Sequence, residues 1–137
     1  MSITLKINTP ITTESFIAVL KASGLAERRP IDNVECMEGM LKHANLTVTA
    51  WDGEKLIGVA RSVTDFHYCC YLSDIAVDKG YQKQGIGKKL IAATKQQLKS
   101  TSKLVLLSAP DAVKYYPHIG FESHPHAWML RSDQEVK

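Results

Sequence analysis

The chain has 137 residues, enough for one domain that buries its own core without disulfide staples. Hydrophobic residues make up 45% and charged residues 23%, which excludes a disordered chain and points to a globular one. A net charge of +3 is too mild for a dedicated nucleic-acid binder but suits an anionic small ligand wherever the lysines cluster.

In chain order, "ITLKI" alternates as a short first strand. "TTESFIAVLKASG" follows as a helix, capped by Thr12 or Thr13, with Phe16, Ile17 and Leu20 inward and Gly24 ending it. "RRP" is a loop. "DNVECMEGMLKH" reads as a second helix with Asp32 as its cap and Val34, Met37 and Leu41 at helical spacing. The period then changes. "NLTVTAWDGEKLIGVARSV" is two strands around Asp52-Gly53, a strong hairpin signal. "YCCYLSDIAV" is a largely apolar central strand. "GIGKKLIAATKQQLKS" is a helix with Ile86, Leu90, Ile91, Thr94 and Leu98 inward and lysines outward. "KLVLLSA" reads as another buried strand, "DAVKYYPHIGF" as a short helix stopping by Gly120, and "FESH" with "AWMLR" as a closing hairpin. The expected fold is α+β, a mixed α/β sheet in a single domain over residues 1–137.

The start "MSITLKINTP" lacks the apolar segment of a signal peptide, and no run approaches the roughly 18 apolar residues of a membrane span. Cys36, Cys69 and Cys70 are odd in number and lack C-x-x-C spacing, which fits a reducing compartment better than a disulfide framework or a zinc site. A cytoplasmic location with no membrane partner is expected.

The densest signal is "VDKGYQKQGIGKKL". Unpaired N–H groups at a helix start carry the positive end of the helix dipole, and glycine there removes the Cβ that would hold a phosphate away. Strand, loop, glycine pair and helix together make an anion cradle, with Lys83, Lys88 and Lys89 around it. A Walker A loop is excluded, because Ile86-Gly87 follow Gly85 where Lys-Ser/Thr would stand. The dinucleotide fingerprint fails too, with Leu90 in place of its third glycine.

What remains is Gln82-Lys83-Gln84-Gly85-Ile86-Gly87, a Q/R-x-x-G-x-G/A pattern, followed by Ala112, Tyr116, Gly120 and Phe121 in A-x-x-x-Y-x-x-x-G-F spacing. With these two motifs the chain resembles the GNAT N-acetyltransferases, closely over residues 46–121 and in element order over nearly all its length. The resemblance implies a sheet of about six to seven strands with four helices, and acetyl-CoA as co-substrate without a metal. It implies that Gln82, Lys83, Gln84, Gly85, Ile86, Gly87 and Lys88 hold the pyrophosphate while Ile75, Ala76 and Val77 run beside the pantetheine arm. Within the superfamily the chain is similar to small bacterial members and to plant arylalkylamine (serotonin) acetyltransferases. It departs from the pattern at Lys79, at Ala109 and at Pro117, the last of which bears on the aim of Tyr116 and leaves Tyr115 as a fallback.

Acyl transfer from a thioester to an amine needs a neutral amine, a donor to the oxyanion, and a proton or hydrogen bond for the leaving thiolate. The resemblance places Tyr116 as the acid, with packing over the cofactor as its plain alternative. Asp74 interrupts an apolar strand beside the cradle, as a base, an amine-binding carboxylate or a structural acceptor. The resemblance puts the oxyanion donor at a main-chain N–H near Ile75 or Ala76. His67 with Cys69 and Cys70 could suggest a metal, but the cysteines read as buried small residues before a metal site or, at Cys69 or Cys70, an acyl-enzyme, and Arg28-Arg29 reads as a solvated loop before an acidic-acceptor site. His124-Pro125-His126 reads as a turn, and Trp51 and Trp128 as core or hairpin packing. The expected activity is direct acetyl transfer to the primary amine of a small molecule. A protein lysine or N-terminal acetyltransferase is the alternative enzyme, and a non-catalytic acyl-CoA sensor the alternative outside enzymes. No nucleic-acid partner is expected, and a homodimer is one assembly that the resemblance leaves open.

Overall fold

The computed structural model describes residues 2–137. The chain divides into two compact units, one ending at Leu107 and one comprising Ser108–Lys137.

The first unit contains β1 (Ile3–Ile7), α1 (Thr13–Ser23), α2 (Val34–His43), β2 (Leu46–Asp52), β3 (Lys55–Thr64), β4 (Cys69–Val77), α3 (Ile86–Gln96) and β5 (Lys103–Leu106). The strands lie in the order β1-β2-β3-β4-β5. The first four pair antiparallel, and β5 runs parallel to β4 after the α3 crossover.

Local chemistry sets the boundaries. Thr12 Oγ1 accepts from Ser15 N at 3.1 Å to start α1, and Gly24, at φ 89°, turns the chain out of it. The cap of α2 is Asn33, one residue after the expected Asp32, with its side chain accepting from Cys36 N at 3.0 Å. In the hairpin Asp52 is still paired with Lys55, so the turn residues are Gly53, at φ 60°, and Glu54. Thus the hairpin forms where expected, with its turn displaced by one residue.

Neighbouring residues of β3 show how the layers stack. Val59 packs with Phe16, Val19, Leu20, Met37 and Ala76 under α1 and α2. Gly58 points to the other face. A Cβ there would lie 3.2 Å from Leu90 Cδ1 and 3.3 Å from Ala50 Cβ, so glycine lets α3 approach the sheet. Ile86, Leu90, Ile91 and Thr94 are buried as expected, whereas Leu98 falls beyond the end of α3.

Two expectations need correction. "KLVLLSA" is not a buried strand: β5 is a four-residue edge with a strand neighbour on one side only, and Val105 is 47% exposed. In the second unit a turn at Pro110–Ala112 and α4 (Tyr115–His118) are followed by Gly120 at φ 101°. The closing hairpin is absent: among the described residues no strand follows Leu106, so the sheet has five strands and not six or seven. The turn at His124-Pro125-His126 supplies a reason, because His126 N donates to His124 Nδ1 at 3.1 Å and proline has no N–H to offer a ladder. Trp128 is consequently 93% exposed instead of packed. Trp51 does pack, its Nε1 donating to Thr49 Oγ1 at 2.8 Å and Lys6 Nζ standing 4.7 Å from its ring centroid.

The turn between β3 and β4 is built on Asp65. Its Oδ1 accepts the N–H groups of Tyr68, Cys69 and His67 at 2.8, 3.0 and 3.0 Å. These bonds, from Tyr68 foremost and then Cys69, hold its carboxyl at about 2, below the ordinary 3.8. A folded-state value below the unfolded one means that this contribution is complete above about pH 4 and is lost as pH falls toward 2. Carboxyl-carbon NMR should give Asp65 a midpoint near 2, and Asp65→Asn should remove this part of the acid dependence of stability. A midpoint at the ordinary value would show that the turn does not persist in solution.

Candidate functional site

The site is built on an irregularity in β4. Arg61 pairs with Asp74 and Ser62 with Leu72, which leaves Ser73 without a partner on β3. Such a bulge frees main-chain groups from the ladder. Ser73 O accepts from Arg29 Nη2 at 2.8 Å, and Ser73 Oγ accepts from Arg61 Nη2 at 3.0 Å. The Asp74 side chain is fully buried, with Arg29 Nε donating to one carboxylate oxygen and Arg61 Nε to the other. Arg61 Nη1 also donates to Met40 O of α2 at 3.2 Å.

A carboxylate in a dry strand is costly unless paired, and here each oxygen meets a guanidinium. Asp74 therefore sits with both oxygens engaged. Arg29, which the sequence suggested as a solvated or acceptor-binding residue, reaches 45 residues along the chain to this centre. Arg61 was not singled out. The signal that would have found it is one arginine in "LIGVARSV" and one aspartate in "YLSDIAV", opposite charges in consecutive apolar strands.

Beyond the bulge β4 is held on one side only. Its pairing with β5 ends at Leu72 and Leu106, while β4 continues to Val77. Asp78 N donates to Ile57 O at 2.8 Å, so the antiparallel alternation turns the main chain of Ala76 toward β3 and that of Ile75 and Val77 away from it. Gln82 Nε2 occupies Val77 O at 2.8 Å. The Ile75 N–H and C=O and the Val77 N–H therefore line an edge with no strand beside it among the described residues. Of the three expected lining residues, Ile75 and Val77 present main-chain groups there, and Ala76 faces the core.

This edge leads into the glycine loop. Asp78 Oδ1 accepts from Gly80 N at 2.9 Å, and Tyr81 OH donates to Asp52 Oδ2 at 2.5 Å, which braces the loop against the β2–β3 hairpin. That bond, followed by burial, raises the Tyr81 pKa above the ordinary 10.0 and keeps its donor proton in place. Lys83 and Gly85 have φ of 65° and 78°. Gly85 precedes α3 without a side-chain cap, and among the described residues the first N–H of this helix to find a main-chain partner is that of Lys89, donating to Gly85 O at 3.1 Å. The N–H groups of Ile86, Gly87 and Lys88 are the orphans of a helix start. Gln82, Lys83, Gln84, Gly85, Lys88 and Lys89 are exposed, Gly87 is half-buried and Ile86 anchors the helix in the core. A Cβ on Gly85 would meet nothing within 4 Å, so the space over the loop is open. Open N–H groups, the positive helix end and mobile lysines can bind a phosphate-like anion.

In the second unit Tyr116 is largely buried, with its ring edge-on to Tyr115 at 5.4 Å and to Phe121 at 5.5 Å. Burial, and then the neighbouring Tyr115, raises its pKa, so the hydroxyl keeps its proton at neutral pH. Pro117 stands in the single turn of α4, where its missing N–H would have had no helical partner. The thiols Cys36 and Cys69 are exposed and Cys70 is buried, with burial raising its pKa and suppressing the thiolate. Among the described residues no group of three or more His, Cys, Asp or Glu side chains is placed to hold a metal ion.

Residues 19–127 match the acetyltransferase (GNAT) domain family. Among relatives, a histone acetyltransferase, TAP1, from Glycine max is 35% identical over 74 residues, covering 53% of this chain and 32% of that protein. The chain spans about a third to somewhat over half the length of the curated relatives it matches. A GNAT-family acetyltransferase from Streptococcus pneumoniae TIGR4 superposes with a TM-score of 0.76 at 24% identity, covering 96% of this chain and all of that one. An aminoglycoside N-acetyltransferase, AAC(6')-Iy, in complex with CoA superposes with a TM-score of 0.72 at 18% identity, covering 97% of this chain and 96% of that one. At these identities the structural likeness is one of fold.

Proposed function

Because the chain belongs to the acetyltransferase (GNAT) domain family, we propose that it transfers an acetyl group directly from acetyl-CoA to a primary amine. The observation that carries this reading is the unpartnered edge of β4 past Leu72, which runs straight into the open N-terminus of α3. The one geometry offers main-chain groups for an extended amide-bearing arm and N–H groups for a pyrophosphate. In this reading the N–H groups of Gly85 to Lys88 and the amines of Lys83 and Lys88 hold the diphosphate, with Gln82 and Gln84 flanking it. Ile75 and Val77 pair with the arm, and Ile75 N–H donates to the oxyanion that develops on the acyl carbonyl. Acetyl-CoA, when bound, supplies the activated acyl group.

Asp74 enters the proposal as the fixed anion of the arginine clamp, because both its oxygens are engaged, and the proton of the amine leaves through water. Tyr116, which keeps its proton, is the donor to the departing thiolate. A small-molecule amine is the proposed acceptor, and the aminoglycoside acetyltransferases among proteins of like fold support it. The histone acetyltransferase among the relatives supports the alternative, a protein lysine. A cytoplasmic location belongs to the same proposal.

The test is thiol release from acetyl-CoA across arylalkylamines, polyamines, amino acids, aminoglycosides and lysine peptides. Acceptor-dependent release is expected, and the responding amine names the class. With that acceptor, Tyr116→Phe should lower kcat by about 10²-fold, in the range of a general acid, and leave acetyl-CoA affinity unchanged. An unaltered kcat would reduce Tyr116 to packing. Thermal stabilisation by acetyl-CoA without any turnover would favour the acyl-CoA sensor.

A further inference from the structure

We propose that Arg29 is a positioning residue: it fixes the peptide between Ser73 and Asp74, and through it the aim of Ile75 N–H, tying the segment between α1 and α2 to the reacting point on β4. The inference rests on the acetyltransferase reading above. It starts from the bulge, which leaves Ser73 with no partner residue on β3. An unpaired main-chain carbonyl in a sheet needs another donor, and Arg29 Nη2 supplies it at 2.8 Å while the Nε of the same guanidinium holds Asp74. One planar group thus grips both ends of one residue-to-residue link, the Ser73 carbonyl and the Asp74 side chain.

This grip falls where the sheet cannot help. Past Leu72 there is no β5 beside β4, so from Ser73 to Val77 the strand is laddered to β3 alone, and at Ser73 not even to that. Arg61 does not duplicate the task, since it binds Ser73 through the side-chain hydroxyl and Asp74 through the other oxygen. Nor is Arg29 needed to neutralise Asp74. Arg61, 7% exposed, already does so, whereas Arg29 is 22% exposed and its addition gives the clamp one net positive charge. A surplus cation beside the bulge favours charge developing on an acyl oxygen nearby. Its own Nη1 donates to Arg28 O at 2.8 Å, which fixes the guanidinium plane to its loop.

Arg29→Lys isolates this role, because lysine keeps the charge and can pair with Asp74 but lacks the fork that also reaches Ser73 O. The expected result is an acetyl-CoA Kd within about twofold of wild type and a kcat lowered by about 10²-fold, the cost of roughly 1 Å of misplacement. Hydrogen exchange at Ala76 N–H, which faces the β3 ladder next to Ile75, should quicken at least about tenfold, as local opening of the strand predicts. A purely structural arginine would shift the thermal midpoint and leave kcat unchanged well below it. A kcat within threefold of wild type, or unchanged exchange at Ala76, overturns the proposal. If wild type itself neither binds nor turns over acetyl-CoA, the acetyltransferase reading fails, and the exchange of Ala76 in Arg29→Lys still decides whether the arginine holds the bulge.

Discussion

Asp74→Asn is expected to destabilise the fold by about 3–5 kcal/mol, the cost of removing one partner from a buried ion pair, which is roughly 10–20 °C in Tm for a chain of this size. The amide occupies the same space, so the loss is of charge and not of volume. It falls mainly on Arg61, which at 7% exposure cannot turn to water, and less on Arg29 at 22%. Arg61→Leu should therefore cost more than Arg29→Leu. The double replacement Arg61→Leu/Asp74→Leu should cost less than the sum of its parts, since it removes both charges carried by the two strands and leaves only Arg29, at 22% exposure, to turn to water. Urea unfolding of these four variants and of Asp74→Leu alone measures this directly, and a loss below about 1 kcal/mol for Asp74→Asn, the worth of an exposed pair, would mean that water reaches the cluster. The same variant separates two roles. At a temperature where it is folded, its pH–rate profile should keep the acidic limb if Asp74 is the anion of a clamp, and loss of that limb would return it to the role of base.

The second large effect is expected at Gly85. With φ at 78°, this position suits glycine and tolerates asparagine, whereas a β-branched side chain is strained by about 1–3 kcal/mol. The ideal Cβ meets nothing of the chain within 4 Å, so a substitution collides with no residue of the protein. It intrudes only on whatever lies over the N–H groups at the start of α3. Gly85→Asn should accordingly keep the thermal midpoint near that of wild type and weaken acetyl-CoA binding by about tenfold, one lost contact of 1.4 kcal/mol. Gly85→Val adds backbone strain to occlusion and should weaken it by at least about 10²-fold. Calorimetric titration with acetyl-CoA reads both. Wild-type affinity in Gly85→Asn would move the diphosphate away from this loop and remove the basis of the proposed cofactor site.

What could be read from the chain alone was whatever its chemistry keeps within a few residues. The cap of α1 and its glycine stop, the hairpin after Asp52, the inward face of α3 and the glycine loop each depend on neighbours in sequence, and each stands in the structure, with the cap of α2 and the hairpin turn displaced by one residue. The motif pair at Gln82–Gly87 and Ala112–Phe121 carried the family for the same reason, since its spacing is local. Other features came only with the tertiary structure. β5 looked buried because its residues are apolar, but a strand's exposure depends on what lies next to it. The hairpin expected after Phe121 does not form, because an alternating pattern does not supply a partner strand and the His124 side chain takes a donor that a ladder would use. Asp74 could be seen to need a partner, but not which one. Its two arginines lie 13 and 45 residues away, and only the pairing of β3 with β4 and the path of the loop after α1 bring them to one carboxylate. Charge pairing across a fold is decided by chain reversal and register, which a linear pattern of residue types leaves open.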